Sequence, residues 1–165
     1  MCLKYDIEAT KNFWNTEERK GKTWCTAIKL FRIDADTKEL VSPFQGRVTK
    51  PGWVKSDRTI QEAGQDYCDD WESKEYYDDP YLKIMRGIHV IMDSGIADLY
   101  HESDGPFVEV EVKCYKKDFV AASIDNTEDE IDWLAWGGEA VFTKVFLSKF
   151  EHDRVIKEHI DILEE

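Results

Sequence analysis

The sequence predicts an α+β fold, in which a mainly antiparallel sheet of five or six strands is accompanied by a short helix and a C-terminal helix. Three observations lead to this prediction. Residues 108–114 alternate between apolar and charged side chains, which is typical of a strand with one face on a core. Residues 23–33 are rich in the β-branched and aromatic residues that strands favour. Apolar residues recur at helical spacing between positions 155 and 163, which predicts an amphipathic helix.

Length and composition indicate one domain. The chain has 165 residues, of which 42% are hydrophobic and 13% aromatic, and a chain of this size can bury a core without disulfides or metals. We therefore expect a single domain over residues 1–165, with acidic insertions at 57–80 and 123–138. The four cysteines are widely separated, so free thiols are the simplest expectation.

The first half of the chain predicts a hairpin followed by a loop. After the strand at 23–33, Asp34 begins a turn, because its side chain can accept hydrogen bonds from the backbone ahead. Residues 39–42 return as the second arm. The loop that follows contains two prolines and two glycines, and residues 50–53 suit a type II turn with a positive φ at Gly52. Trp53 either frames a binding surface with this loop or simply covers the hairpin.

The second half predicts the remaining elements in order. Residues 86–92 form a strand, 96–100 a short helix, 107–115 the alternating strand, 118–122 a short further strand and 139–150 the last strand. The C-terminal helix follows from position 152. The alternation places Val108, Val110, Val112 and Cys114 on one face of their strand, so we expect Cys114 in the core.

The charge is strongly acidic. Lys and Arg number 22 against 35 Asp and Glu, which gives a net charge of −13. Such a chain repels phosphate backbones and anionic membranes, so direct nucleic-acid or membrane binding is disfavoured and a basic protein partner is favoured. The sequence has no apolar run long enough to cross a membrane and no secretory signal pattern. We expect a cytoplasmic protein, in the host cytoplasm if it is encoded by a phage.

Two segments, 57–80 and 125–136, combine acidic and aromatic residues, and we call them the acidic–aromatic segments. They are either solvated insertions or a contact surface in which carboxylates attract a basic partner and aromatic rings provide contact area. A calcium-binding loop lacks its required spacing. The residues expected to contact a partner are Asp66, Asp69, Asp70, Trp71, Glu72, Tyr76, Tyr77, Asp78, Asp79, Trp133 and Trp136.

Three short motifs carry a family resemblance. They are LVSPFQG at 40–46 with KPGW at 50–53, RGIHV at 86–90 before an alanine-containing helix, and VEVEV at 108–112 with EAVFTKV at 139–145. Together they resemble an uncharacterised small domain of bacteria and their phages, sometimes found beside pentapeptide repeats. The resemblance covers residues 24–56 and 82–150. It implies a small α+β domain in a phage or mobile-element setting and implies no activity.

One arrangement could support catalysis. His89 lies in a predicted strand, where a structural histidine is the common case. Together with Tyr100 and Glu139 it is similar to the pattern of ADP-ribosyltransferase-like folds. There the histidine would hold a ribose hydroxyl, the tyrosine would stack on nicotinamide and the glutamate would stabilise an oxocarbenium-like transition state. Phosphate-binding glycine loops, nucleophile motifs and metal-ligand motifs are absent from the sequence, so we expect no cofactor and no metal.

The preferred functional hypothesis is a phage-type accessory protein that acts by binding. It would dock its acidic–aromatic segments on a basic host protein, such as a nucleic-acid enzyme or a defence protein that it inhibits. One alternative is an ADP-ribosyltransferase-like enzyme that uses His89, Tyr100 and Glu139. Another is a virion component or structural module. Catalysis is left open, with binding preferred.

Overall fold

The computed structural model describes residues 3–4, 7–42, 46–55, 67–69, 82–84, 87–92, 107–123 and 138–164. The predicted helix at 96–100 and most of both acidic insertions lie outside these residues. The helices are α1 (Ile7–Asn12) and α2 (Lys149–Glu164), with 3₁₀ turns at Phe13–Asn15 and Lys116–Asp118. The strands are β1 (Leu3–Lys4), β2 (Trp24–Ile33), β3 (Leu40–Val41), β4 (Val48–Thr49), β5 (Gly52–Lys55), β6 (Tyr67–Asp69), β7 (Leu82–Ile84), β8 (Ile88–Ile91), β9 (Val108–Tyr115), β10 (Phe119–Ala122), β11 (Glu139–Phe142) and β12 (Lys144–Leu147).

The predicted α+β class is confirmed, and every strand pair in the described residues is antiparallel. The predicted number of strands is too low, because within the described ranges the main sheet has nine strands and a second sheet has three, in the order β1-β7-β6. Part of the difference comes from β4 and β5, which are two and four residues long. Strands this short carry little compositional signal, and β4 and β5 fall in the segment that the prolines and glycines predicted as a loop.

The predicted hairpin forms between β2 and β3. Asp34 opens its turn, and its Oδ1 accepts hydrogen bonds from the backbone N–H groups of Asp36 at 2.8 Å and Thr37 at 3.0 Å. Gly52 has a φ of +115°, in the region that the predicted turn requires. This turn leads directly into β5, so Trp53 lies in a strand of the main sheet rather than in a loop.

The main sheet curls round on itself. Its strand order is β10-β11-β8-β2-β9-β12-β5, although only Thr143 separates β11 from β12 in the chain. In a flat sheet these two strands would be about 19 Å apart, at ~4.8 Å per strand, and one residue spans at most about 3.5 Å. The segment 139–147 therefore bridges the curl, with its first half paired to β8 and β10 and its second half paired to β9 and β5.

The prediction of one continuous strand at 139–150 is wrong on two points. The strand bends at Thr143, whose backbone N–H donates to the carbonyl of Asp118 at 2.8 Å. The helix α2 then begins at Lys149, earlier than predicted. Its start is fixed by Ser148, whose Oγ accepts the N–H of Glu151 at 3.1 Å, the N-terminal cap of an S-x-x-E sequence.

The core lies on the inner face of this curled sheet. One cluster of buried residues draws on β2, β8, β9, β10, β11 and β12 and also includes Phe13, Trp14 and Val155 from outside the sheet. A single cluster of this membership requires that the strands wrap around it. Cys114 is fully buried within the cluster, as its position in the alternation predicted.

Cys114 faces Cys25 across the β2–β9 pair, and both are free thiols. The thiol of Cys114 donates a hydrogen bond to the sulfur of Cys25, which lowers the pKa of Cys25, with Arg19 acting in the same direction. The same contact, together with burial, raises the pKa of Cys114. Any negative charge on this pair therefore resides on Cys25.

Candidate functional site

The outer face of the main sheet carries an open patch of aromatic and lysine side chains at one end. We call it the aromatic–lysine face, and its members are Trp24, Trp53, Lys113, Tyr115, Lys117, Lys144 and Phe146. Side chains alternate between the two faces of a strand. Because Cys25 on β2 and Cys114 on β9 point into the core, their neighbours Trp24, Lys113 and Tyr115 point outward. On β12, Val145 and Leu147 point inward, so Lys144 and Phe146 project from the outer face.

Strand register brings these residues together across four neighbouring strands. Trp24 on β2 lies opposite Tyr115 on β9. Phe146 on β12 lies opposite Lys113 on one side and opposite Trp53 of β5 on the other. The ring centroids of Trp53 and Tyr115 are 5.6 Å apart, and those of Trp53 and Phe146 are 5.3 Å apart. The patch is therefore a continuous surface on four paired strands.

The lysines of this face contact its rings. The Nζ of Lys113 lies 4.2 Å from the Trp24 ring centroid and 5.3 Å from that of Tyr115. The Nζ of Lys144 lies 4.4 Å from the Trp53 centroid, and that of Lys117 lies 5.9 Å from the Tyr115 centroid. These are cation–π distances, so the lysines are held close to the aromatic surface rather than extended into solvent.

Exposure distinguishes this face from the rest of the outer surface. Trp24 and Trp53 are 43% and 41% exposed, whereas Leu30 and Ile91, further along the same outer face, are buried. Large exposed aromatic groups that adjoin one another are unusual on a surface and commonly mark contact sites. The cations give the patch a local positive charge within a chain of net charge −13. The arrangement suits a planar or apolar group that carries negative charge.

The predicted catalytic pair lies elsewhere on the outer face. His89 on β8 is opposite Val141 on β11, and Glu139 is opposite Ile91. Because side chains two residues apart share a face of a strand, His89 and Glu139 project from the same face of two paired strands. His89 is buried, at 8% exposure, and Glu139 is partly buried. Tyr100, the third member of the predicted site, lies outside the described residues.

Beside His89, the inner face contains a partly buried lysine. Lys29 extends from β2 and its Nζ donates to the backbone carbonyl of His89 at 3.3 Å. Registered pairing between β2 and β8 is confined to Ile28 and Ile91, so the lysine spans the place where the two strands separate. Burial lowers the pKa of Lys29 to about 8. With a pKa of about 8, Lys29 is still mostly protonated at pH 7, but it loses its proton much closer to neutral pH than an ordinary lysine does. Lowered lysine pKa values of this kind occur at functional sites and also at some structural ones.

The predicted partner-contact residues lie almost entirely outside the residues that the structure describes. Asp69 ends β6, and only its backbone is described. The other ten residues of that set fall outside the described ranges. In the part of the chain that the structure describes, no three His, Cys, Asp or Glu side chains converge in a way that could hold a metal ion. None of the helices described there has both the length and the apolar character needed to cross a membrane.

The aromatic–lysine face was missed by the sequence analysis, although part of its signal was visible. The alternation that assigned Val112 and Cys114 to the core also assigns Lys113 and Tyr115 to the opposite face. Trp24 is the outward neighbour of Cys25 at the start of the adjacent strand. The contribution of Trp53 had no local signal, because it depends on the pairing of β5 with β12.

Comparisons with known proteins add no relative. No protein-family model matches the chain, and neither the curated proteins nor the solved structures gave a significant match. The resemblance to a small bacterial and phage domain therefore stays a prediction.

Proposed function

We propose that the protein acts by binding a macromolecular partner, and that the aromatic–lysine face is its contact surface. The observation that carries this proposal is the pair of tryptophans, Trp24 and Trp53, which stand more than 40% exposed on adjoining parts of one sheet. Tryptophan and tyrosine are the residues most often responsible for binding energy at protein interfaces. Their position on paired strands fixes their orientation before a partner arrives, which reduces the entropy lost on binding.

The acidic–aromatic segments belong to the same proposal as a second surface of opposite charge. In this hypothesis a phage-type accessory protein uses them to dock on a basic host protein in the host cytoplasm, such as a nucleic-acid enzyme or a defence protein that it inhibits. The support is compositional, since the two segments contain much of the acidic excess of the chain. A contact of this kind should weaken with salt and with neutralisation of Asp69, Asp70 and Asp79.

The proposal is tested by affinity capture from a bacterial extract with matched variants. The test variant is Trp24→Ala/Trp53→Ala, and the control is Phe150→Ala, which removes an aromatic ring that is 79% exposed on α2. We expect the double variant to retain less than about a tenth of the captured partner, because a binding loss of ~1.4 kcal/mol is tenfold and tryptophan hot spots commonly exceed it. The control should capture as much as the wild type.

Equal capture by the double variant and the wild type, at equal folded fraction, would contradict the role of this face. A loss confined to variants with Asp69, Asp70 and Asp79 changed to asparagine would move the contact to the acidic–aromatic segments. Circular dichroism and thermal unfolding of each variant establish that the folded fractions are comparable. The comparison therefore separates the two surfaces.

A second candidate function is an ADP-ribosyltransferase-like activity. The observation that favours it is that His89 and Glu139 share one face of two paired strands, which this chemistry requires. Calorimetric titration of the wild type and of His89→Ala with NAD⁺ tests it. Binding that the His89→Ala change abolishes would support the enzyme hypothesis, and the absence of any binding to the wild type would end it.

A further inference from the structure

We propose that the aromatic–lysine face binds single-stranded nucleic acid, with bases stacked on Trp24 and Trp53 and phosphates bound by Lys113 and Lys144. This inference rests on the proposed function, because it names the class of partner for the same surface. Three features of the molecule support it: the rings of the face, its lysines and the acidic character of the surrounding chain.

The rings provide a stacking platform. Trp24, Tyr115, Trp53 and Phe146 lie on four neighbouring strands, and the two tryptophans are the most exposed of the four. Aromatic side chains on an open sheet face are the recurring means by which proteins hold unpaired bases, since every base has a flat face to stack. The neighbouring ring centroids are 5.3 and 5.6 Å apart, which puts more than one stacking group within reach of a short strand.

The lysines provide the phosphate contacts. Each of Lys113 and Lys144 holds its ammonium within 4.5 Å of a tryptophan ring centroid. A cation–π contact at an exposed site is weak, so an incoming phosphate can draw the ammonium off the ring and leave that ring face open for a base. Lys55 pairs with Lys144 across β5 and β12 and is also exposed, which extends the positive charge along this edge.

The acidic character of the chain determines the kind of nucleic acid. A net charge of −13 repels a long stretch of phosphate backbone, which is why the composition alone disfavours nucleic acid as a partner. A short single strand needs only the local lysines. A duplex would bring a denser phosphate charge toward the acidic remainder of the surface, and its bases are already stacked on one another. Glu111, exposed on the outer face of β9 beyond Lys113, limits the patch at that end.

The test is fluorescence anisotropy with labelled oligothymidylate and oligouridylate of about 12 nucleotides, a length within the site size of single-strand binders. We expect the wild type to bind and Trp24→Ala/Trp53→Ala to bind roughly tenfold more weakly or worse. Lys113→Met/Lys144→Met should bind more weakly and lose most of the salt dependence, since each phosphate contact contributes about −0.7 to the logarithmic salt slope. Phe150→Ala and Lys157→Met are the controls and should bind as the wild type does.

Duplex DNA and polyglutamate serve as competitors in the same assay. Failure of the wild type to bind either oligonucleotide would overturn the proposal, as would binding that neither double variant weakens. Displacement by polyglutamate as effective as displacement by oligothymidylate would also overturn it, in favour of an acidic protein segment. Partner capture that depends on Trp24 and Trp53 would then leave the proposed function standing while this inference fails.

Discussion

Replacement of Phe13 by alanine is expected to lower the free energy of unfolding by about 4 kcal/mol, in the range for large aromatic deletions in a well-packed core. Phe13 is 1% exposed. Its ring centroid lies 4.7 Å from that of Phe119, 5.2 Å from that of Trp14 and 6.3 Å from that of Phe142. The guanidinium carbon of Arg19 also contacts this ring, at 3.9 Å from the Phe13 centroid. One deletion therefore removes contacts from four side chains and leaves a cavity between the 3₁₀ turn at Phe13–Asn15 and the sheet.

The measurement is urea unfolding followed by far-UV circular dichroism. Phe150→Ala is the matched control, because it makes the same chemical change at a residue that is 79% exposed, and it should alter stability by less than about 0.5 kcal/mol. A loss for Phe13→Ala no larger than that of the control would contradict the placement of this ring at the centre of the core.

Lys29 is expected to make the protein more stable as the pH rises from about 8 toward the ordinary lysine value of ~10.4. Burial lowers the pKa of Lys29 to about 8 in the folded state. Across this interval the unfolded chain binds more protons at this group than the folded chain does, so stability rises with pH. The destabilisation caused by burying the charged ammonium is complete below about pH 8. It disappears above ~10.4, the pKa of lysine in the unfolded chain. Between pH 7.5 and 10 the gain from this group is about 2 kcal/mol.

Other groups also titrate in this interval, so the measurement is a difference between variants. Unfolding free energies of wild type and Lys29→Met are compared at pH 7.5, 9 and 10, chosen to span this interval of about two units. The rise assigned to Lys29 should be missing in Lys29→Met and retained in Lys157→Met, which changes an exposed lysine of α2. Parallel stability curves for the wild type and Lys29→Met would contradict the burial of this ammonium.

The sequence was most informative where structure depends on near neighbours. The strand at β9 could be predicted because each of its residues shows by its own polarity which face it occupies. The turn at Asp34 could be predicted because its hydrogen bonds reach only two and three residues ahead. The C-terminal helix could be predicted from the spacing of its apolar residues, although its start was placed too late because the cap at Ser148 was overlooked.

The candidate site was harder to predict because it depends on register. Trp53 reaches the aromatic–lysine face only because β5 pairs with β12, more than ninety residues further along the chain. Likewise, His89 and Glu139 share a face only in the observed register of β8 and β11. A shift of one residue would place them on opposite faces of the sheet. The bend at Thr143 is fixed by a carbonyl twenty-five residues earlier. Such long-range contacts leave no mark on the local pattern of residues.

The central claim is that a partner covers the aromatic–lysine face, and hydroxyl-radical footprinting of the captured complex tests it most directly. In the free protein Trp24 and Trp53 are both well exposed and should be oxidised readily. In the complex we expect both to be protected while Phe150, which is also exposed but lies on α2, is oxidised as before. Unchanged oxidation of Trp24 and Trp53 in a complex that protects other residues would place the contact elsewhere and contradict the account.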